Sequence, residues 1–243
     1  MSPIGSKTLV KPIVESSLTI YHKKGITPFV KAVHNQLLDK KIRFPVLEFA
    51  AELVCAELPV KDQLLTCKQI VEYRTIGGNV MAGIILQKYA LTNPADSFKM
   101  AVECILYGNE WYCCDIIAER VMGVSLLLQP EKTIPLLKKL TVHKADFAVR
   151  TVGVATHYAV KKGLKKIHVE EMYKLLLSLA TATGFHTKTG IGWGAKTCAK
   201  FHPDIIKKYR DELNDEKKVK TWFRTKVNIG LGRTAKYAAK YNR

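Results

Sequence analysis

The sequence predicts an all-α fold in which short helix pairs stack as a repeat solenoid, and three observations predict it. Apolar residues recur at three- and four-residue spacing from about Phe44 onward, the pattern of helices with a buried face. Prolines stand where first helical turns would begin, in Asn93-Pro94-Ala95-Asp96, Pro130-Glu131 and Pro203-Asp204, a place where the missing N–H is not needed. No stretch alternates with period two between turn dipeptides of the Asn-Gly kind, so no sheet is expected.

Residues 1–25 carry no clear periodicity and are expected to form a loosely structured arm. The repeat domain is expected over 26–214. Its helices read as FPVLEFAAELVCAEL, VKDQLLTCKQIVEYR, NVMAGIILQKYALT, DSFKMAVECILYG and EWYCCDIIAERVMGVSLLL. KTIPLLKKLTV, ADFAVRTVGVATHYAVKKG, VEEMYKLLLSLATATG, TGIGWGAKTCAKF and DIIKKYRDEL follow. FAVRTVGVATHYAV is apolar nearly all round, as an inner helix covered on two sides would be. Three helices carry unusual central residues, Trp111, Arg150 and Trp193, about 39 and 43 positions apart. That interval is close to the roughly 40–47-residue period of HEAT-type repeats, with a non-repetitive helical bundle as the alternative. Residues 215–243 form a basic, aromatic tail packed on or extending the same domain. Arg224, Lys226, Arg233 and Lys236 alternate there with Trp222, Phe223, Tyr237 and Tyr241, a mixture suited to backbone phosphates or to a solvated cap.

The charge balance narrows the partner. Lys and Arg number 39 against 21 Asp and Glu, a net +18 in 243 residues, which points to a polyanion and secondarily to an anionic membrane surface. Mean hydropathy is near zero, and no apolar run reaches the roughly 20 residues of a spanning helix. The start, MSPIGSKTLVKPIVESS, lacks a signal-peptide layout, so an intracellular setting is expected. Six cysteines include no Cys-x-x-Cys pair, which argues against zinc and thioredoxin-like chemistry.

Two motif matches fail on context. Gly190-Ile191-Gly192-Trp193-Gly194-Ala195 fits G-x-G-x-x-A, yet no strand precedes it, as a dinucleotide fingerprint requires. The glycines instead suit a close approach of backbone around Trp193. His168-Val169-Glu170 matches half of the nucleobase deaminase pattern, and the Pro-Cys-x-x-Cys half is missing.

The chemistry concentrates at four residues. Trp111 and Asp115 lie four apart, which puts indole and carboxylate one turn apart on one helix face. A carboxylate is badly placed for binding phosphate and well placed for meeting a cation. If the repeat holds, Trp111, Asp115, Arg150 and Trp193 share a concave strip, with two indoles and a carboxylate for a cation and Arg150 for a phosphate. The bland alternatives are core tryptophans and an Asp115 paired with Arg120 or Arg150.

Trp111-Tyr112-Cys113-Cys114-Asp115 with Val121-Met122-Gly123 resembles the W-x-x-x-D…V-x-G segment of AlkD-type DNA alkylation repair proteins. Val149-Arg150-Thr151-Val152-Gly153-Val154-Ala155 is similar to that family's arginine helix, and Gly190-Ile191-Gly192-Trp193-Gly194-Ala195-Lys196 to its I-G-W-A segment. The likeness covers roughly residues 70–215, in the family's order. Tyr112 departs from it, standing where many members have Trp or Asp.

The resemblance implies a HEAT-like solenoid with a concave basic face. It also implies a monofunctional glycosylase, needing no metal or cofactor, for cationic N3- and N7-alkylated purines in double-stranded DNA. Asp115 would be the catalytic carboxylate, Trp111 and Trp193 its aromatic flanks and Arg150 a backbone contact. Lys196, Arg224, Lys226, Arg233 and Lys236 are the further DNA contacts expected, in a monomer located with DNA in nucleoid or nucleus. The rival readings are a non-catalytic binder of damaged or branched DNA and a scaffold for an acidic protein.

Overall fold

The computed structural model describes residues 5–234, and every regular element among them is helical. By internal contacts the chain divides into two compact units, Met1–Val121 and Met122–Arg243, where the sequence suggested one repeat domain over 26–214. Each helix packs mainly on helices near it in sequence.

The first unit contains α1 (Lys7–Lys24), α2 (Ile26–Val33), α3 (Phe44–Glu57), α4 (Val60–Glu72), α5 (Ile76–Ala90), α6 (Pro94–Gly108) and α7 (Trp111–Ala118). α3, α5 and α7 lie side by side, and α2, α4 and α6 form a second row against them. α5 is buried on all sides from Gly77 to Leu86, which is why its sequence is apolar all round.

α1 corrects the expectation of a loose arm. Ser6 caps it by accepting the Leu9 N–H, and Val10, Val14, Ser17 and Leu18 are buried on one face. Pro12 sits inside the helix and cannot donate to the fourth carbonyl back. With Ser16 and Ser17 it hid the spacing of the valines. Gly25, at φ 81°, ends the helix and donates its N–H to the Tyr21 carbonyl.

The second unit contains α8 (Val124–Leu128), α9 (Pro130–Leu140), α10 (Asp146–Lys161), α11 (Lys166–Leu177), α12 (Phe185–Phe201), α13 (Pro203–Lys208), α14 (Arg210–Asn214) and α15 (Thr221–Leu231). α8, α10, α12 and α15 are successive neighbours in one row, with α9, α11 and α13 packed behind them. The prolines expected at helix starts do begin α6, α9 and α13. The tail contributes α15, whose Phe223 and Val227 are fully buried and which lies along α12. No helix among the described residues is long and apolar enough to cross a membrane.

α10 and α12 run parallel in near backbone contact, in a register of about forty residues. At their amino ends Asp146 accepts the N–H groups of His186 (2.8 Å) and Thr187 (3.0 Å) and the Thr187 hydroxyl. Toward their carboxyl ends His157 meets Thr197. Between them Gly153 faces Gly190 and Gly194, and a side chain on Gly153 would overlap the Gly190 carbonyl. Asp146 thus caps α12 from a neighbouring helix, satisfying donors that α12 cannot satisfy itself.

Burial works to raise the Asp146 pKa, but the Thr187 hydroxyl and the two backbone N–H groups outweigh it and hold the pKa below the ordinary carboxylate value. A lowered folded-state pKa gives stability that is complete above the unfolded value and lost as pH falls through the folded one. Asp146→Ala is therefore expected to lower stability by about 0.5–2 kcal/mol at neutral pH. In denaturant titrations, the gap to wild type should close as the pH is taken below the carboxylate range.

Candidate functional site

In the first unit the candidate residues ride on α7. Asn109, in the left-handed conformation at φ 48°, ends α6, and extended Glu110 precedes the first turn of α7. Trp111 is the first helical residue and is 57 % exposed. α7 buries Cys113, Cys114, Ile117 and Ala118. The opposite stripe carries Trp111, Tyr112, Asp115 and Ile116, with Asp115 half-buried one turn above the indole. A cluster of buried small residues thus fixes which way the indole and carboxylate face.

Tyr112 sets the base of this stripe. Its ring meets Trp111 edge-on at 5.9 Å, and its hydroxyl donates to the Arg74 carbonyl at 3.0 Å. Tyr112 thus ties the start of α7 to the turn before α5. Arg120 reaches Glu48 at 3.3 Å and lies over the Phe44 ring at 5.2 Å, linking α3 to the π-helical turn Glu119–Gly123 that follows α7. Sequence reading missed Glu48, whose partner stands 72 residues away.

In the second unit, Arg150 on α10 is only 5 % exposed, where the sequence placed it openly on a binding strip. Its stem lies against Gly190, where a Cβ would come within 2.6 Å of the Arg150 Cγ, and its guanidinium donates to the His186 carbonyl at 3.5 Å. Trp193 is half-buried on α12 and stacks on His157, with ring centroids 4.0 Å apart and planes inclined by 25°. From Ile191 to Lys200 only Trp193, Lys196 and Lys200 are not buried, so one stripe of α12 combines an indole with two ammonium groups.

This stripe is the centre of a cationic cluster. The Lys226 stem from α15 packs where Gly192 has no side chain. Burial, then Arg233, Lys226 and Lys200, lower the Lys196 pKa. The sequence named Lys196, Lys226 and Arg233 as partners of a polyanion, and here they act on one another. It did not single out Lys161, Lys200 or His157. The forty-residue register that sets His157 against Thr197 is the signal that would have found them.

Arg224 does not join this cluster. It donates to Glu216 (3.2 Å), the Val219 carbonyl (3.1 Å) and Thr221 (3.4 Å), closing the turn that starts α15. Lys236 lies outside the described residues. Among the described residues no group of three or more His, Cys, Asp or Glu could hold a metal ion, and the six cysteines are free thiols. Burial raises the Cys104 and Cys113 pKa values to about 12, so these thiols are protonated and unreactive.

The depressed Lys196 pKa means that folding works against its charge. Such a group costs stability wherever it is charged, neutral pH included, and the cost disappears as pH rises through its folded and then its unfolded pKa. Lys196→Gln should therefore raise the melting temperature at low salt, and the gain should shrink at 1 M salt, where the Debye length is about 3 Å. A gain that is independent of salt would mean that burial of the ammonium, not repulsion by its neighbours, limits this position.

A family model described as DNA alkylation repair enzyme matches residues 41–225, from just before α3 into α15. No curated protein and no solved structure matches the chain.

Proposed function

From its place in the DNA alkylation repair enzyme family, to which this chain belongs, we propose that it is a monofunctional glycosylase. It would hydrolyse the N-glycosidic bond of cationic N3- and N7-alkylated purines in double-stranded DNA. The observation that carries this reading is the pairing of an exposed indole with a carboxylate one turn away on a chain of net charge +18. A carboxylate works against phosphate binding, whereas a cationic lesion is attracted by both groups. The alternation of helix rows within each unit supports HEAT-like repeats presenting basic residues to DNA.

The chemistry asks little of the protein. The alkylated purine is positively charged, so the electron pair of the breaking C1′–N bond neutralises the base, and no general acid is needed. The sugar left behind has oxocarbenium character. The Asp115 carboxylate stabilises that charge and orients the water whose oxygen bonds to C1′ and whose proton is then released. One carboxylate suffices where glycosidases acting on neutral leaving groups use two. Trp111, one turn from Asp115 in the first unit, is the proposed aromatic face for the lesion and its deoxyribose, and Trp193 is the aromatic face that the second unit offers to DNA.

Backbone phosphates are the proposed partners of Lys196, Lys226 and Arg233, whose mutual repulsion a phosphate relieves. Arg150 has already lost most of its water. A phosphate reaching its guanidinium would form a charge-assisted bond with little further desolvation. Arg224 is held by Glu216 and its own turn and contributes least.

Asp115→Asn keeps shape and removes charge. Excision of N7-methylguanine from duplex DNA should fall by about 10²–10³ or more, while binding to undamaged duplex holds or tightens. A folded variant that binds DNA and excises at the wild-type rate ends this mechanism. The joint change Lys226→Gln and Arg233→Gln should flatten the salt dependence of duplex affinity by roughly 0.9 for each phosphate no longer neutralised, and an unchanged slope removes both from the interface.

A further inference from the structure

Trp193 stacks on a titratable ring, and the hydrogen bonds around that ring fix its tautomer. The Thr197 hydroxyl donates to the Trp193 carbonyl one turn back at 2.9 Å, so toward His157 the same oxygen presents a lone pair. His157 Nδ1, 2.7 Å from it, therefore carries the ring proton. Thr197 is 3 % exposed, so water does not compete for this pair. Indole, imidazole and hydroxyl form a closed set drawn from two parallel helices, α10 and α12.

The charged groups facing the imidazole are Lys161 on its own helix and Lys196 and Lys200 on α12, with Lys226 of α15 and Arg233 behind Lys196. Burial and these lysines hold the His157 pKa down to about 4, so the ring is neutral throughout the physiological range. The neutrality has a chemical consequence for an indole that must attract a cation. An imidazolium on one face of Trp193 would draw on the same π-density that a cationic purine needs on the other.

We infer that His157 is a positioning residue, a flat ring that fixes the Trp193 indole from one side and leaves its other π-face available to a cationic base. The inference rests on the glycosylase reading for what Trp193 recognises, and on the stack alone for how Trp193 is held. DNA phosphates that neutralise Lys196 and Lys200 would raise the His157 pKa, so the bound complex is more acid-sensitive than the free protein.

The test follows the Trp193 indole directly. In protein labelled with ¹⁵N in its three tryptophans, the Trp193 Nε1–H resonance is assigned by its absence in Trp193→Phe. It should titrate with a midpoint near about 4, and that titration should vanish in His157→Phe, which keeps a ring in the stack. In His157→Ala the resonance should shift and broaden. Single-turnover excision of N7-methylguanine should drop about 10-fold or more in His157→Ala, recover most of that rate in His157→Phe, and lose its acid limb there.

A Trp193 resonance unmoved in a folded His157→Ala variant, or a midpoint near the ordinary histidine value, overturns the inference even if the enzyme is active. Wild-type protein that shows these resonance changes but releases no base overturns the glycosylase reading and leaves the positioning of Trp193 standing.

Discussion

Two helices can approach to backbone contact only where neither presents a side chain, and α10 and α12 meet this condition through Gly153, Gly190 and Gly194. Most of the candidate site in the second unit depends on that approach. It brings Asp146 within reach of the first N–H groups of α12, so the short link before Phe185 needs no cap of its own. It gives the Arg150 stem a place beside Gly190, and it lays His157 on Trp193. A larger residue at any of these glycines would separate the helices and disturb a cap, a buried guanidinium and a ring stack together.

The same packing explains how a crowd of cations is tolerated. Lys196, Lys200, Lys226 and Arg233 approach one another because they extend from α12, α15 and the turn after α15, which are held together by apolar and backbone contacts, Phe223 and Val227 of α15 among them. Repulsion is then a cost built into the folded state, and it adds to burial in lowering the Lys196 pKa. Such a surface is prepared for an anion, since binding one relieves repulsion as well as adding attraction. The α7 stripe is different in kind, with an aromatic and a carboxylate where the rest of the protein is strongly basic.

Family membership rests on residues 41–225, which leaves α1 and α2 outside the matched span. α1 nevertheless packs on α3 through Val10 and Val14, both fully buried. The amino-terminal helix is therefore part of the first unit's core, and its apolar face supports the row that contains α7.

Helix positions, the proline starts and the all-α class were legible in the sequence because they follow from spacing along the chain. The cationic excess and the Trp111–Asp115 pair were legible for the same reason: four residues on a helix are one turn whatever surrounds them. α1 was missed because Pro12 and its polar neighbours spoke locally against a helix, and only packing on α2 and α3 makes the valine face worth burying. Exposure and pairing could not be read in this way. That Arg150 is buried, that Arg224 turns back on Glu216, and that His157 lies on Trp193 depend on what stands beside each residue. Those neighbours come from another helix or the next turn, and only the tertiary fold brings them together.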